Sequence, residues 1–276
     1  VIVIRKDEVF NKTLMNKLRK EYEGSKRKDS VTHVSDILPP PTCIRRAWYG
    51  RQFPDENEIT IDSVNHFLRG QASEYAITKL NAAGVAQLDV TFGETVKGHP
   101  DIAGKDVIYE LKDTTSLNRL DFNDHQFRSY LRQLLYYMVM TNKDRGIISI
   151  KYNAPELKFQ RRTAEGELYL KPWGSRMGVQ AWDVYLALDD PIRDQIKEEI
   201  LQREKLFQEG LKTKKVDNLP RLPTEFVKSK CTYCSYKKRC DKDPESQSAK
   251  ELRESTDLLD LEGIVNFDVT EAPNVI

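Results

Sequence analysis

Residues Phe127 to Thr141 contain the run RSYLRQLLYYMVM, apolar at helical spacing, and after a polar turn Gly146 to Tyr152 reads GIISIKY, a β-branched strand. A helix and a strand this apolar must each bury a face, and laying helices on a sheet is the layer arrangement that does so. The preceding stretch fits the same plan. From about Ile61 to Ala82, Val64, Phe67, Leu68, Ala72, Tyr75, Ala76 and Leu80 recur at threes and fours, which predicts a long amphipathic helix ended by Gly84. Three β-type runs follow, around Gln87–Phe92, Glu94–Ile102 and Val107–Leu111, with turn signals at Gly93 and Gly104, and they predict a meander of about three strands. Helix, strands, helix, strand describes an α/β (α+β) core over residues 61–152, a mixed sheet flanked by helices.

Outside that core the signals are plainer. Leu14, Leu18 and Tyr22 mark an exposed helix within a segment, 1–30, that ends as a polar linker. Pro39 to Pro41 force the chain out of helix just before Cys43. Residues 153–188 read as an accessory hairpin region, and Pro191 to Gly210 as a helix with proline in its first turn and glycine near its end. Leu219–Pro223 is a proline-bounded link. The net charge of +1 hides a division: residues 241–276 carry ten acids against three bases, which leaves +8 on residues 1–240. A basic body with an acidic, flexible tail suits phosphate binding and equally suits a solvated surface. No run approaches the roughly 20 apolar residues of a membrane span, and the opening VIVI is cut off by Arg5 and Lys6, so the expected location is cytoplasmic.

The sharpest chemistry lies in GHPDIAGKDVIYELK. Asp101 ends one strand, a turn around Gly104 follows, and Glu110 and Lys112 share one face of the next strand, where Leu111 between them offers only its backbone carbonyl. Two carboxylates and an ammonium held by adjacent strands can bind Mg²⁺ or Mn²⁺ and place a water against a phosphodiester. An ordinary charge pair on a hairpin is the bland alternative. One helical turn separates Gln133 from Tyr137 on the next helix, which lets both face a single ligand, unless Tyr137 is simply core. Arg128 and Arg132 there could meet phosphates or solvent.

The chain has four cysteines, too few for a disulfide scaffold. Cys231, Cys234 and Cys240 lie in KCTYCSYKKRC, and Cys43 stands far upstream in PPTCIRRAWYG. Four thiolates suit zinc or an iron–sulfur cluster. If these segments meet, Arg45, Arg46, Arg51, Lys228, Lys230, Lys237, Lys238 and Arg239 gather with Tyr49, Tyr233 and Tyr236, a mixture that would hold single-stranded nucleic acid or merely shield the thiolates.

The order Asp101, Glu110-x-Lys112, Gln133-x-x-x-Tyr137 resembles the PD-(D/E)XK nuclease superfamily in its RecB-like branch. That resemblance implies a restriction-endonuclease-like core in which Asp101 and Glu110 hold the metal, Lys112 steadies the attacking water, and Gln133 and Tyr137 contact the DNA backbone. RGQASE, residues 69–74, is similar to the segment where the branch carries a His-Glu pair. Here Ser73 replaces the histidine and Glu74 remains as a further carboxylate ligand, with His66 a bystander two turns earlier. One cysteine before the core and Cys-x2-Cys-x5-Cys after it resembles the branch's iron–sulfur nucleases, among them the CRISPR-associated Cas exonucleases of the fourth Cas family. This implies a [4Fe–4S] cluster on Cys43, Cys231, Cys234 and Cys240, in a small subdomain joining residues 31–60 to 219–240, with 153–218 accessory and 241–276 a tail. It further implies a DNA exonuclease acting on single-stranded or duplex ends in CRISPR adaptation or repair, with integration or repair proteins as partners, and it admits a homo-oligomer. No Walker-type GxxxxGK[ST] is present, which excludes a helicase fusion within this chain. The alternative of another class is a DNA-binding scaffold that has lost catalysis, to which Ser73 points.

Overall fold

The computed structural model describes residues 30–57, 68–72, 85–86, 88–114, 120–152, 158–162, 168–172 and 179–254, with Thr13, Asn16, Lys17 and Tyr75 as single positions. Most of the two expected helices at 10–28 and 61–82 lies outside these residues, as do His66, Ser73 and Glu74; the described positions within both are helical.

The centre is a five-stranded mixed sheet. In chain order its strands are β2 (Val85–Ala86), β5 (Ile102–Ala103), β6 (Val107–Thr114), β7 (Arg145–Tyr152) and β10 (Val179–Tyr185), arranged in space as β10-β7-β6-β5-β2. Only β6 and β7 run parallel, so the chain between them must cross over the sheet, and it does so through helix α3 (His125–Met140). β7 alternates cleanly, with Gly146, Ile148, Ile150 and Tyr152 inward. Against them α3 lays Leu131, Leu134, Leu135 and Met138, all buried, and each such side chain contributes about 1.5–3 kcal/mol by leaving water. Gly146 makes the close approach available: a Cβ there would stand 2.8 Å from both Leu134 and Met138.

The expected three-strand meander is corrected to five strands divided between two sheets. β3 (Val90–Phe92) and β4 (Val96–Gly98) pair through a turn at Gly93, whose φ of 61° falls where glycine is favoured. They join β1 (Thr32–His33), parallel to β4, in a separate three-stranded sheet. The run Glu94–Ile102 is cut at His99-Pro100, since proline has no N–H for the ladder, and pairing resumes at Ile102 in the main sheet. Within 153–188, β8 (Lys158–Arg162) and β9 (Leu168–Pro172) form the expected hairpin. The last piece differs, because β10 pairs antiparallel with β7 along its whole length and sets Trp182 edge-on to Phe127, 5.2 Å between ring centres.

Before the core lie two short helices, α1 (Val34–Ile37) and α2 (Ile44–Gln52), and after it the long α4 (Ile192–Thr213). α4 continues past Gly210, the expected stop, and ends at Lys214 in left-handed geometry. Gly210 faces inward instead, and Leu219 packs where its Cβ would stand, 3.2 Å away. None of the described helices is long and apolar enough to cross a membrane.

α3 and α4 are joined by polar groups that hydrophobic periodicity does not reveal. Arg132, read as a solvated or phosphate-binding residue, is buried and donates twice to Glu199, at 3.2 and 3.0 Å, and Tyr136 OH donates to the same carboxylate at 2.5 Å. Arg193 is also buried and donates to the carbonyls of Met138, Lys143 and Leu186, which closes the C-terminal end of α3. Breaking a buried pair strands a charge. Glu199→Ala is therefore expected to cost about 3–5 kcal/mol in urea unfolding, whereas the apolar triple replacement Arg132→Met, Tyr136→Phe, Glu199→Leu costs less than that single change.

Candidate active site

The β5–β6 hairpin and α3 bring Asp101, Glu110, Lys112, Gln133 and Tyr137 together. Ile102 pairs with Tyr109 and Ala103 with Ile108, so the same register carried one residue further sets Asp101 opposite Glu110. Asp101 is fixed by the backbone, accepting from the Leu111 amide at 2.6 Å. Leu111, expected to offer only its carbonyl, gives its N–H to this bond. Glu110 and Lys112 share the α3-facing side of β6, as strand alternation requires, and form an ion pair; the glutamate is 1% exposed and the lysine 20%.

From α3, Gln133 accepts from Lys112 Nζ at 3.1 Å and donates to Tyr137 OH at 3.1 Å. The ammonium also lies 5.2 Å from the centre of the Tyr130 ring, a cation–π contact that sequence reading missed although Tyr130 stands one turn before Gln133. Tyr137 is buried, 4% exposed, whereas Gln133 is half-buried. The ring of Tyr137 occupies the place of a side chain at Gly98, where a Cβ would stand 2.5 Å from it. Of the expected pair, then, Gln133 reaches Lys112 and Tyr137 holds it from beneath. Glu74 lies outside the described residues. On the opposite face of β6, Asp113 pairs with Arg69 at 2.6 Å, which ties the described turn of that helix to the strand.

Charge follows from this packing. Burial opposes the Lys112 ammonium, but the Glu110 and Asp101 carboxylates outweigh it and hold its pKa above the ordinary lysine value. The Tyr137 phenol is pushed up as well, by burial first and by Glu110 next, so it is a neutral hydrogen-bonding group at neutral pH.

The four cysteines are free and share one neighbourhood. Cys43 caps α2, its sulfur accepting from the Arg46 amide at 3.4 Å, and its thiol is pushed up to about 11 by burial, with the nearby thiols of Cys240, Cys231 and Cys234 adding to the rise against that hydrogen bond. The segments that carry them are clasped. Tyr49 stacks on Tyr236 at 5.5 Å and donates to Asp243 at 2.7 Å; Arg45 donates to the carbonyls of Leu219 and Pro244 at 2.7 and 2.8 Å. Arg239 pairs with Glu56 and covers the Phe53 ring at 3.9 Å. Part of the expected basic and aromatic surface is therefore structural: Arg45, Arg51, Tyr49 and Tyr236 are interior, and only Tyr233 among those tyrosines is open, at 88%. Residues 241–254 are not a loose tail, since Arg221 donates to Asp243 O and a helix, Gln247–Glu254, buries Ala249. Among the described residues no group of three or more His, Cys, Asp or Glu is arranged to hold a metal ion. The geometry supplies the clasp and the thiol neighbourhood; it does not supply the cluster.

Among solved structures, the crystal structure of SSO0001 is similar to this chain with a TM-score of 0.51 and 14% identity, over 83% of this chain and 94% of that one. The two share a fold. At lower TM-scores stand a phage-related exonuclease from Haemophilus somnus 129PT (0.41, 11% identity, 67% of this chain and 96% of that one) and an alkaline exonuclease, LHK-Exo, from Laribacter hongkongensis (0.41, 11%, 77% and 98%). No family model matches the chain, and neither does any curated protein.

Two outcomes follow from the packing. Gly98→Ala displaces Tyr137 and with it Gln133; unfolding measurements should register a loss of about 1–3 kcal/mol from overpacking. Because the Lys112 pKa is raised, the pair's stabilisation is fully present below the unfolded lysine value of about 10.4 and is lost only as pH rises beyond it. Glu110→Gln removes the largest charge that raises it, so side-chain NMR of Lys112 should show the pKa falling.

Proposed function

We propose that this protein is a metal-dependent DNA nuclease that hydrolyses phosphodiester bonds at strand ends. The observation that carries the reading is the convergence of Asp101, Glu110 and Lys112 on one hairpin with Gln133 reaching them from α3. The donor set fits a hard divalent cation, with carboxylate oxygens from two neighbouring segments of one hairpin, and the family resemblance adds Glu74 of the RGQASE segment. Mg²⁺ or Mn²⁺ held by Asp101 and Glu110, together with Glu74 and the Leu111 carbonyl, would supply Lewis-acid polarisation of the phosphate.

The chain's own groups account for the rest. Lys112 stays charged through neutral and mildly alkaline pH and offers its ammonium hydrogens to the attacking water or to the charge growing on the phosphate. Gln133, oriented from below by Tyr137, aligns the strand. Tyr130 presents its ring to the lysine ammonium and helps to hold it in place. The assignment to end processing in CRISPR adaptation or repair, with integration or repair proteins as partners, extends the reading by family resemblance. So does a [4Fe–4S] cluster on Cys43, Cys231, Cys234 and Cys240, whose fit rests on four free soft donors in one neighbourhood. Such a cluster would fasten the clasp between the chain's two ends.

Anaerobically purified protein with Mn²⁺ should shorten end-labelled DNA, and Glu110→Ala or Lys112→Ala should lower the rate by at least about a hundredfold, as loss of a charge-stabilising group does. A well-folded wild type that binds DNA and never cuts it would establish the scaffold instead. Purified protein should also be brown and should bleach on Cys43→Ser; zinc in stoichiometric amount in a colourless protein would overturn the cluster.

A further inference from the structure

α3 carries the Gln-x-x-x-Tyr spacing twice. Gln133 and Tyr137 form one pair, and Gln126 and Tyr130, seven residues earlier, form another. The same hydrogen bond closes both, the glutamine amide donating to the tyrosine hydroxyl. Seven residues advance the helix by about 10 Å and bring it almost back to the same side, so the two pairs line one stripe. Lys112 connects them, since it donates to Gln133 and lies over the Tyr130 ring.

The pairs differ in exposure. Tyr137 is sealed beneath Gly98, whereas Gln126 and Tyr130 are both partly exposed, the Tyr130 ring resting against the edge of the core. Gln126 keeps a second amide hydrogen and Tyr130 keeps its own hydroxyl hydrogen, two neutral donors side by side next to the site, and the exposed part of the ring adds an apolar surface. Neutral donors with an aromatic face suit the phosphate and sugar or base of a nucleic-acid strand. At about 3.4 Å of rise per stacked nucleotide, the 10 Å offset corresponds to roughly three nucleotides.

We propose that Gln126 and Tyr130 form a second strand-binding subsite, which takes a nucleotide about three positions from the scissile phosphate and gives the enzyme a preference for longer strands. The proposal rests on the nuclease reading for its ligand, and its test is one of binding, so the two can fail separately.

The measurement is fluorescence anisotropy of labelled oligothymidylates of two and six nucleotides in Ca²⁺, for wild type, Gln126→Ala/Tyr130→Ala and Gln126→Glu. Wild type should favour the hexamer. In the double variant that preference should fall about tenfold, the value of one lost stacking and phosphate contact, and in Gln126→Glu, which keeps the shape and adds a repelling charge, at least as far. An unchanged preference in Gln126→Glu overturns the subsite, as does an equal loss on both lengths, which would mean that the pair acts only through Lys112. Wild type that binds with the expected preference yet never cleaves in Mn²⁺ overturns the nuclease reading and leaves the subsite standing; wild type that binds neither oligonucleotide overturns both.

Discussion

Helix α3 lies close on its sheets because two glycines, Gly98 and Gly146, present no side chain where Tyr137, Leu134 and Met138 descend. The rest of the molecule depends on that approach. β6 and β7 are parallel neighbours joined by the crossover that carries this helix, and Lys112, paired with Glu110, meets Gln133 because the helix is near enough for a hydrogen bond of 3.1 Å. A methyl group at either glycine acts on the core and on the candidate site together, since the same helix face serves both.

Buried polar groups then set the angle of the surrounding elements. The Arg132–Glu199–Tyr136 group holds α4 to α3, Arg193 closes the end of α3, and Arg45 and Tyr49 tie the region of Cys43 to that of Cys240. Each takes a charge or hydroxyl out of water, a cost that its hydrogen bonds offset, in Arg45 through Nε and Nη2 while Nη1 is buried without a partner. These groups specify which surfaces meet. They also convert residues that look like a nucleic-acid surface into internal fasteners, so the accessible positive charge near the thiols is smaller than the count of lysines and arginines implies.

The elements with strong local signals were legible in the sequence: α3 and β7 by their apolar patterns, the hairpin β8–β9, and the exit from helix at Pro39 to Pro41. So were the shared strand face of Glu110 and Lys112 and the one-turn pair Gln133 and Tyr137, because strand alternation and helix spacing are local rules; that the helix pair meets the hairpin is a tertiary contact, which only the family resemblance implied. The division of residues 85–114 between two sheets was not legible, since a short β run carries no mark of its partner. Nor was β10, whose alternation places it in any half-covered sheet and whose place at the edge beside β7 is a long-range pairing.

What the sequence by itself determined is the set of chemical groups and the spacing along each element, which local geometry translates directly into faces and turns. Tertiary structure alone decided which of those groups remain open. Arg132, Arg45 and Tyr49 have the composition of a surface and lie in the interior, while Gln126 and Tyr130 stay partly exposed, the tyrosine beside Lys112. The reason is physical: burial of a polar side chain is settled by a partner distant in sequence, Glu199 for Arg132 and the Leu219 carbonyl for Arg45, and no local pattern encodes that partner.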